Sequence, residues 1–137
     1  IEAESGFHIQ IRSKSNAIGL MQILPSTFDS LDIEGDIWEP ATNIKAGIKC
    51  LGLLAKSFRR PENILLAYNG GPNRASRYLR ARASGEDVSH YPLEMRGYPH
   101  KVMSNYKKFL VKTGQNPAHA NGLYKNYKTN PLRASPR

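Results

Sequence analysis

The residues of this sequence best suited to chemistry fall in three short segments: Glu4-Ser5-Gly6-Phe7, Gly19-Leu20-Met21-Gln22 and Ala67-Tyr68-Asn69. Each sets polar side chains beside an apolar run, where a helix should end or the chain should turn. A carboxyl such as that of Glu4 can give and take a proton when apolar, partly buried surroundings raise its pKa. Phe7, Leu20 and Met21 are the candidate walls of such a site. The plainer alternative is a glutamate on a helix surface. Gln22, Asn69, Ser13 and Tyr68 offer amides and hydroxyls to a polar ligand. Their plainer alternatives are a turn former for Ser13, a helix-end cap for Asn69 and a core aromatic with a wet tip for Tyr68. Glu94 and Tyr98 lie one helical turn apart, on one face.

Other chemistries find less support. His8, His90, His100 and His119 show no metal-ligand spacing, so neither a metal nor a cofactor is expected. Cys50 is the single cysteine, which rules out an internal disulfide, and it reads as a small hydrophobe in a helical pattern. Between residues 29 and 39, Asp29, Asp32, Glu34, Asp36 and Glu39 gather around Gly35. Asp29 or Asp32 could supply a second carboxylate, but the stretch reads as a solvated loop.

The elements that must position these groups are mostly helices. Gly6 stops a first helix over 1–6, and Ser13–Asn16 reads as a turn after a possible short strand at 7–12. Pro25 opens a short helix. A longer helix is expected from about Pro40 to Phe58, with Ile44, Ile48, Leu51, Ala55 and Phe58 on one face. Further helices are expected over Glu62–Tyr68, Asn73–Ala83 and about Pro92–Lys112. The third carries Arg74, Arg77, Arg80 and Arg82 among Ala75, Tyr78 and Leu79. The fourth should bury Tyr98, Val102, Tyr106, Phe109 and Leu110, and Pro99 could delay its start.

A chain of 137 residues suits one domain with its own core. No apolar run approaches the roughly 20 residues of a membrane helix. The chain opens at Ile1 inside a helical pattern, so the start of that helix is expected to lie upstream. Charge is uneven. Residues 1–94 hold 11 Lys and Arg against 11 Asp and Glu, whereas 95–137 hold 9 basic residues and no acid, so the +9 excess lies wholly in the C-terminal third. Such asymmetry suits a polyanionic partner (nucleic acid, anionic lipid or anionic cell-wall polymer), or simply solubility.

The run ESGFHIQIRSKSNAIGLMQILP over 4–25 resembles the opening motif of the soluble lytic transglycosylase family. LLAYNGGPNRASRY resembles that family's Ala-Tyr-Asn-x-Gly-Pro motif, and Glu94-Met95-Arg96-Gly97-Tyr98 its Glu-Thr-x-x-Tyr motif, all in the family's order. Asn43-Ile44 with Gly47 fits the intervening helix. The resemblance covers about residues 1–112. It implies a mainly α, single lysozyme-like domain with at most a short β-ribbon, followed by a basic C-terminal extension over 113–137.

The resemblance also implies a reaction and its residues. Glu4 would protonate the glycosidic oxygen between N-acetylmuramic acid and N-acetylglucosamine. It would then act as base while the muramic C6 hydroxyl closes a 1,6-anhydro ring. Ser13, Gln22, Leu24, Tyr68, Asn69, Glu94 and Tyr98 would contact the glycan, along a cleft between the Glu4 helix end, the Gly19–Leu24 turn and the Tyr68 helix end. Leu24 stands where the family often has methionine, and Met95 where it has threonine. Peptidoglycan strands are the implied partner, with anionic wall polymers drawn by the basic C-terminus. No nucleic acid is expected, the chain is expected to be a monomer, and the location implied is the cell envelope, the periplasm, the exterior or phage delivery. The alternatives are a hydrolytic muramidase and a non-catalytic polyanion-binding module.

Overall fold

A computed structural model describes residues 1–118 and 120. It contains helices α1 (Glu2–Ser5), α2 (Pro25–Asp29), α3 (Pro40–Ser57), α4 (Pro61–Gly70), α5 (Pro72–Ala83) and α6 (Leu93–Lys112). Among the described residues no strand forms. The segment expected to be extended contributes only isolated antiparallel bridges, Arg12 with Ile18 and Ile18 with Ile23. The protein is therefore mainly α, as its sequence suggests. The chain divides into two compact units, Ile1–Leu53 and Leu54–Arg137, with the boundary inside α3.

The first unit is built largely from turns. α1 ends where Gly6 takes a left-handed conformation (φ 56°), and its amide donates to Glu2 O at 3.1 Å. Pro25 opens α2 at its first position, as expected. The buried side of α3 differs from the expected one. Thr42, Asn43, Ala46 and Gly47 are buried, while Ile48 is 63% exposed and Ile44 and Leu51 only half-buried. The reason is steric and polar. A Cβ on Gly47 would lie 2.5 Å from Met21 Cε, so the small residues admit the neighbouring loop where isoleucine could not. Asn43 then supplies hydrogen bonds to that loop, and size-weighted apolar periodicity is blind to both effects.

In the second unit α4 packs against α5 and α6. Phe58, Leu66, Ala67, Ala75, Tyr78 and Met95 form its core, flanked by Leu54, Ile64, Leu79, Val88 and Tyr91. Tyr78 and Tyr91 meet edge to face, 5.3 Å between ring centres. Ala75, Tyr78 and Ala81 recur every third residue along α5 and leave Arg74, Arg77 and Arg80 outside.

α6 begins at Leu93 and continues through Pro99, which is buried with Met95, Tyr98, Met103 and Leu110. This stripe is rotated from the expected one: Phe109 is 55% exposed, Tyr106 is exposed and Val102 half-buried. Met95 accounts for the rotation. It seats against Gly70, where a Cβ would lie 2.2 Å from its sulfur, and an unbranched thioether fits such an irregular gap. Past α6, Gln115 N donates to Leu110 O (2.8 Å), and Ala120 packs with Met103, Leu110 and Leu65. Most of the expected C-terminal extension, from 121 onward, lies outside the described residues.

Candidate active site

Glu4, Ser13, Gln22 and Leu24 belong to the first unit, and Tyr68, Asn69, Glu94 and Tyr98 to the second. Glu4 sits half-buried on the single turn of α1. The next residue holds this turn in place: Ser5 is buried, and its hydroxyl donates to Leu20 O at 3.0 Å. That bond joins the Glu4-Ser5 segment to the Gly19–Gln22 turn.

The turn is fixed from its other side by Asn43 of α3. This side chain is 1% exposed; its Oδ1 accepts from Met21 N (2.7 Å) and its Nδ2 donates to Ile18 O and Ile37 O (both 2.9 Å). Gly19 adopts φ 73°, and a Cβ there would lie 2.6 Å from Asn43 Nδ2, so both backbone and space demand glycine. Backbone bonds finish the turn: Gly19 N to Ile11 O, Ile18 N to Ile23 O and Ile23 N to Ile18 O. Sequence reasoning named Ser5 and Asn43 only as parts of motifs and missed that they position this turn. A polar side chain inside an otherwise small-residue helix face was the signal that could have revealed Asn43.

Gln22 has a left-handed backbone (φ 49°), and its Nε2 donates to Gly19 O at 2.9 Å and Ile11 O at 3.4 Å. The amide nitrogen is thereby spent on the loop, and the carbonyl end remains the group with which Gln22 can meet a ligand. Ser13 Oγ accepts from Ala17 N (3.0 Å) and Ser15 N (3.2 Å), the turn-forming role. Its hydroxyl hydrogen is the part left to donate. Leu24 precedes α2 and is exposed. Leu20 and Met21 are buried, but Phe7 is not the enclosing wall expected of it: it is 65% exposed. The Arg12 guanidinium lies over the Trp38 ring, 5.4 Å from its centre.

The acids of 29–39 are exposed, and two have local work. Asp36 accepts from Trp38 N (2.9 Å), and Glu39 accepts from the Thr42 hydroxyl. Cys50 is half-buried, which pushes its thiol pKa up by desolvation. No group of His, Cys, Asp or Glu among the described residues could hold a metal ion, and no helix there is long and apolar enough to cross a membrane.

In the second unit, Tyr68 and Asn69 occupy the last turn of α4, both half-buried. Asn69 Nδ2 donates to Glu94 Oε1 across 3.5 Å, a long contact tying the end of α4 to the start of α6. Glu94 is exposed at the head of α6, and Tyr98 one turn on is buried. Met95 is core, directly beneath Gly70.

Comparison with known proteins gives these motifs a context. Residues 1–90 match the family model described as the transglycosylase SLT domain, a match that ends before Glu94 and Tyr98. A Haemophilus influenzae protein whose name marks it as a candidate soluble lytic murein transglycosylase is 35% identical over 83% of this chain and 22% of its own length. A transglycosylase of Enterobacteria phage PRD1 is 28% identical over 90% of this chain and 41% of its own. The 70 kDa soluble lytic transglycosylase of Escherichia coli superposes with a TM-score of 0.71 at 27% identity, over 85% of this chain and 21% of that one. The chain thus spans between about a fifth and two-fifths of these proteins. With its matched residues carrying Glu4, the Gly19–Gln22 turn and Tyr68-Asn69, the chain belongs to the transglycosylase SLT domain family.

Proposed function

We propose that this chain is the catalytic module of a peptidoglycan lytic transglycosylase, with Glu4 as its acid and base. The observation that carries the reading is the Ser5–Leu20 hydrogen bond, backed by Asn43. It holds the single turn bearing Glu4 against a loop whose conformation is fixed by buried polar contacts. Chemistry at a single carboxyl needs such fixed placement, because reacting atoms must be held at near-contact distance.

The reaction begins with Glu4 protonated. Its proton passes to the glycosidic oxygen between N-acetylmuramic acid and N-acetylglucosamine as the bond from that oxygen to the muramic C1 breaks. The muramic C6 hydroxyl oxygen forms the new bond to C1, and its proton returns to the Glu4 carboxylate. Atoms balance without water, and the new end is a 1,6-anhydro ring. The sugar's own acetamido group stabilises the electron-poor C1, a substrate-assisted departure from the two-carboxylate pattern. The Gln22 carbonyl, the Ser13 hydroxyl and the Leu24 side chain contact the glycan from the first unit. In the second unit, Tyr68, Asn69, Glu94 and Tyr98 are the candidates for glycan contacts. The basic excess of 95–137 draws the module to anionic wall polymers through screened long-range attraction. Its place of action is the cell envelope, reached from within the bacterium or by phage delivery.

Mass analysis of digested peptidoglycan tests this. Wild-type protein should yield muropeptides one water lighter than reducing ends, and Glu4→Gln should lower turnover by at least about a hundredfold. Products with reducing ends alone would make the protein a muramidase, and unchanged turnover in Glu4→Gln would remove Glu4 from the chemistry.

A further inference from the structure

Three residues past Glu4, the chain accepts backbone strain and gains little burial in return. Phe7 has φ 69°, the left-handed region that a bulky L-residue avoids, directly after Gly6 at φ 56°. Its ring, moreover, is 65% exposed to solvent. Neither feature is needed to hold the turn. Gly6 N donates to Glu2 O (3.1 Å), and His8 reaches back to Ser5 O with both its backbone amide (3.1 Å) and its ring Nδ1–H (2.8 Å). The backbone on both sides of Phe7 is therefore fixed by bonds in which its side chain takes no part. A strained conformation over-determined by its surroundings, presenting a group that the fold does not use, points to function at that group.

We propose that Phe7 is a glycan-contacting residue, its exposed ring a platform for the apolar C–H face of a sugar near the Glu4 carboxyl. The proposal rests on the reading of Glu4 given above. Three residues of chain reach at most about 11 Å even when fully extended, so the ring lies within a short oligosaccharide's reach of the carboxyl. A phenyl ring presents a flat, electron-rich face, suited to the weakly positive C–H groups of a pyranose. Ser13 and Gln22, in the same unit, supply the directional contacts that a ring cannot.

The test sets stability and binding against each other. Phe7→Asn keeps the backbone conformation, which asparagine tolerates, and removes the ring; Phe7→Trp keeps a larger aromatic face. Thermal unfolding and steady-state kinetics on purified peptidoglycan glycan strands are measured for both variants and for wild type. Phe7→Asn should raise Tm by about 3 °C through relief of strain. It should raise KM roughly tenfold with kcat little changed, and Phe7→Trp should stay within roughly twofold of wild-type KM. A Phe7→Asn variant with unchanged KM overturns the platform. So does one whose Tm falls, because the ring would then be packing rather than waiting for a ligand. If wild type itself cleaves no glycan, the reading of Glu4 fails instead, and the two failures are told apart by that control.

Discussion

The two units of this molecule are held together by different physics. In Ile1–Leu53 the decisive contacts are polar: Asn43 with three backbone partners, the Ser5 hydroxyl on Leu20 O, and a chain passing through left-handed conformations at Gly6, Phe7, Asn16, Gly19, Gln22 and Asp32. In Leu54–Arg137 the core is apolar, with Leu66, Ala67, Ala75, Tyr78 and Met95 packed among three helices. Hydrogen bonds are directional and fix a loop to one geometry, whereas apolar packing fills volume and tolerates rearrangement. The unit that carries Glu4 is the one built for geometry.

The sharpest way to break this contrast is Asn43→Leu. Similar in shape, it takes from Met21 N and Ile37 O the partner that Asn43 supplied, at roughly 1–3 kcal/mol for each group, and leaves Ile18 O with Ile23 N alone. A loss of about 2–5 kcal/mol is expected, a large part of the roughly 5–15 kcal/mol that holds a small protein folded. The comparator is Leu66→Ala, a cavity in the other unit expected to cost about 2–5 kcal/mol. Denaturant unfolding gives the totals, and amide hydrogen exchange gives the location. Asn43→Leu should release the amides of Ile18, Met21 and Ile23 while those of α4 stay protected, and Leu66→Ala should do the reverse. Equal loosening in both units by either change would erase the distinction.

A smaller effect tests the packing side. Gly70→Ala drives a methyl into the Met95 side chain and should destabilise by about 1–3 kcal/mol. Adding Met95→Ala makes room for that methyl, so the double variant should be more stable than the two single changes sum to. Additive losses, read from unfolding curves, would mean that the two side chains do not contend for the same space.

The contrast also explains what could be read from the sequence and what could not. Helices α2, α4 and α5 fall close to the expected places, because Pro25, Pro61, Pro72 and the Gly70-Gly71 break are local signals acting on the backbone alone. The buried faces of α3 and α6 were misread, because burial there follows what small residues admit rather than where large apolar ones recur. Ala46 and Gly47 accept Met21, and Gly70 accepts Met95. The same holds for the candidate site. Glu4, Gln22 and Tyr68 stand out by type and motif, but the roles of Ser5 and Asn43 depend on contacts 15 to 25 residues away in sequence. The exposure of Phe7 could not be inferred either, since an aromatic beside a candidate acid suggests an enclosing wall before it suggests an exposed ring.

The smallest expected effect comes from two adjacent residues of α3, where hydrophobicity and importance run in opposite directions. By burial of apolar area, Ile48 should matter and Gly47 should not. The structure reverses this: Ile48 stands 63% exposed, while the space above Gly47 is taken by Met21. Ile48→Ser should therefore shift stability by no more than about 0.5 kcal/mol. Gly47→Ala has two opposing terms. Alanine favours the helix over glycine by about 1 kcal/mol, but the new methyl would lie 2.5, 2.7 and 2.8 Å from Met21 Cε, Cγ and Cβ. A clash reaching the root of that side chain cannot be relieved by swinging its tip, and Met21 N is itself held by Asn43. The clash should win, leaving a net loss of about 1 kcal/mol or more. A Gly47→Ala variant as stable as wild type would show that the Gly19–Gln22 turn can retreat from α3, and with it that the loop beside Glu4 is softer than its hydrogen bonds imply.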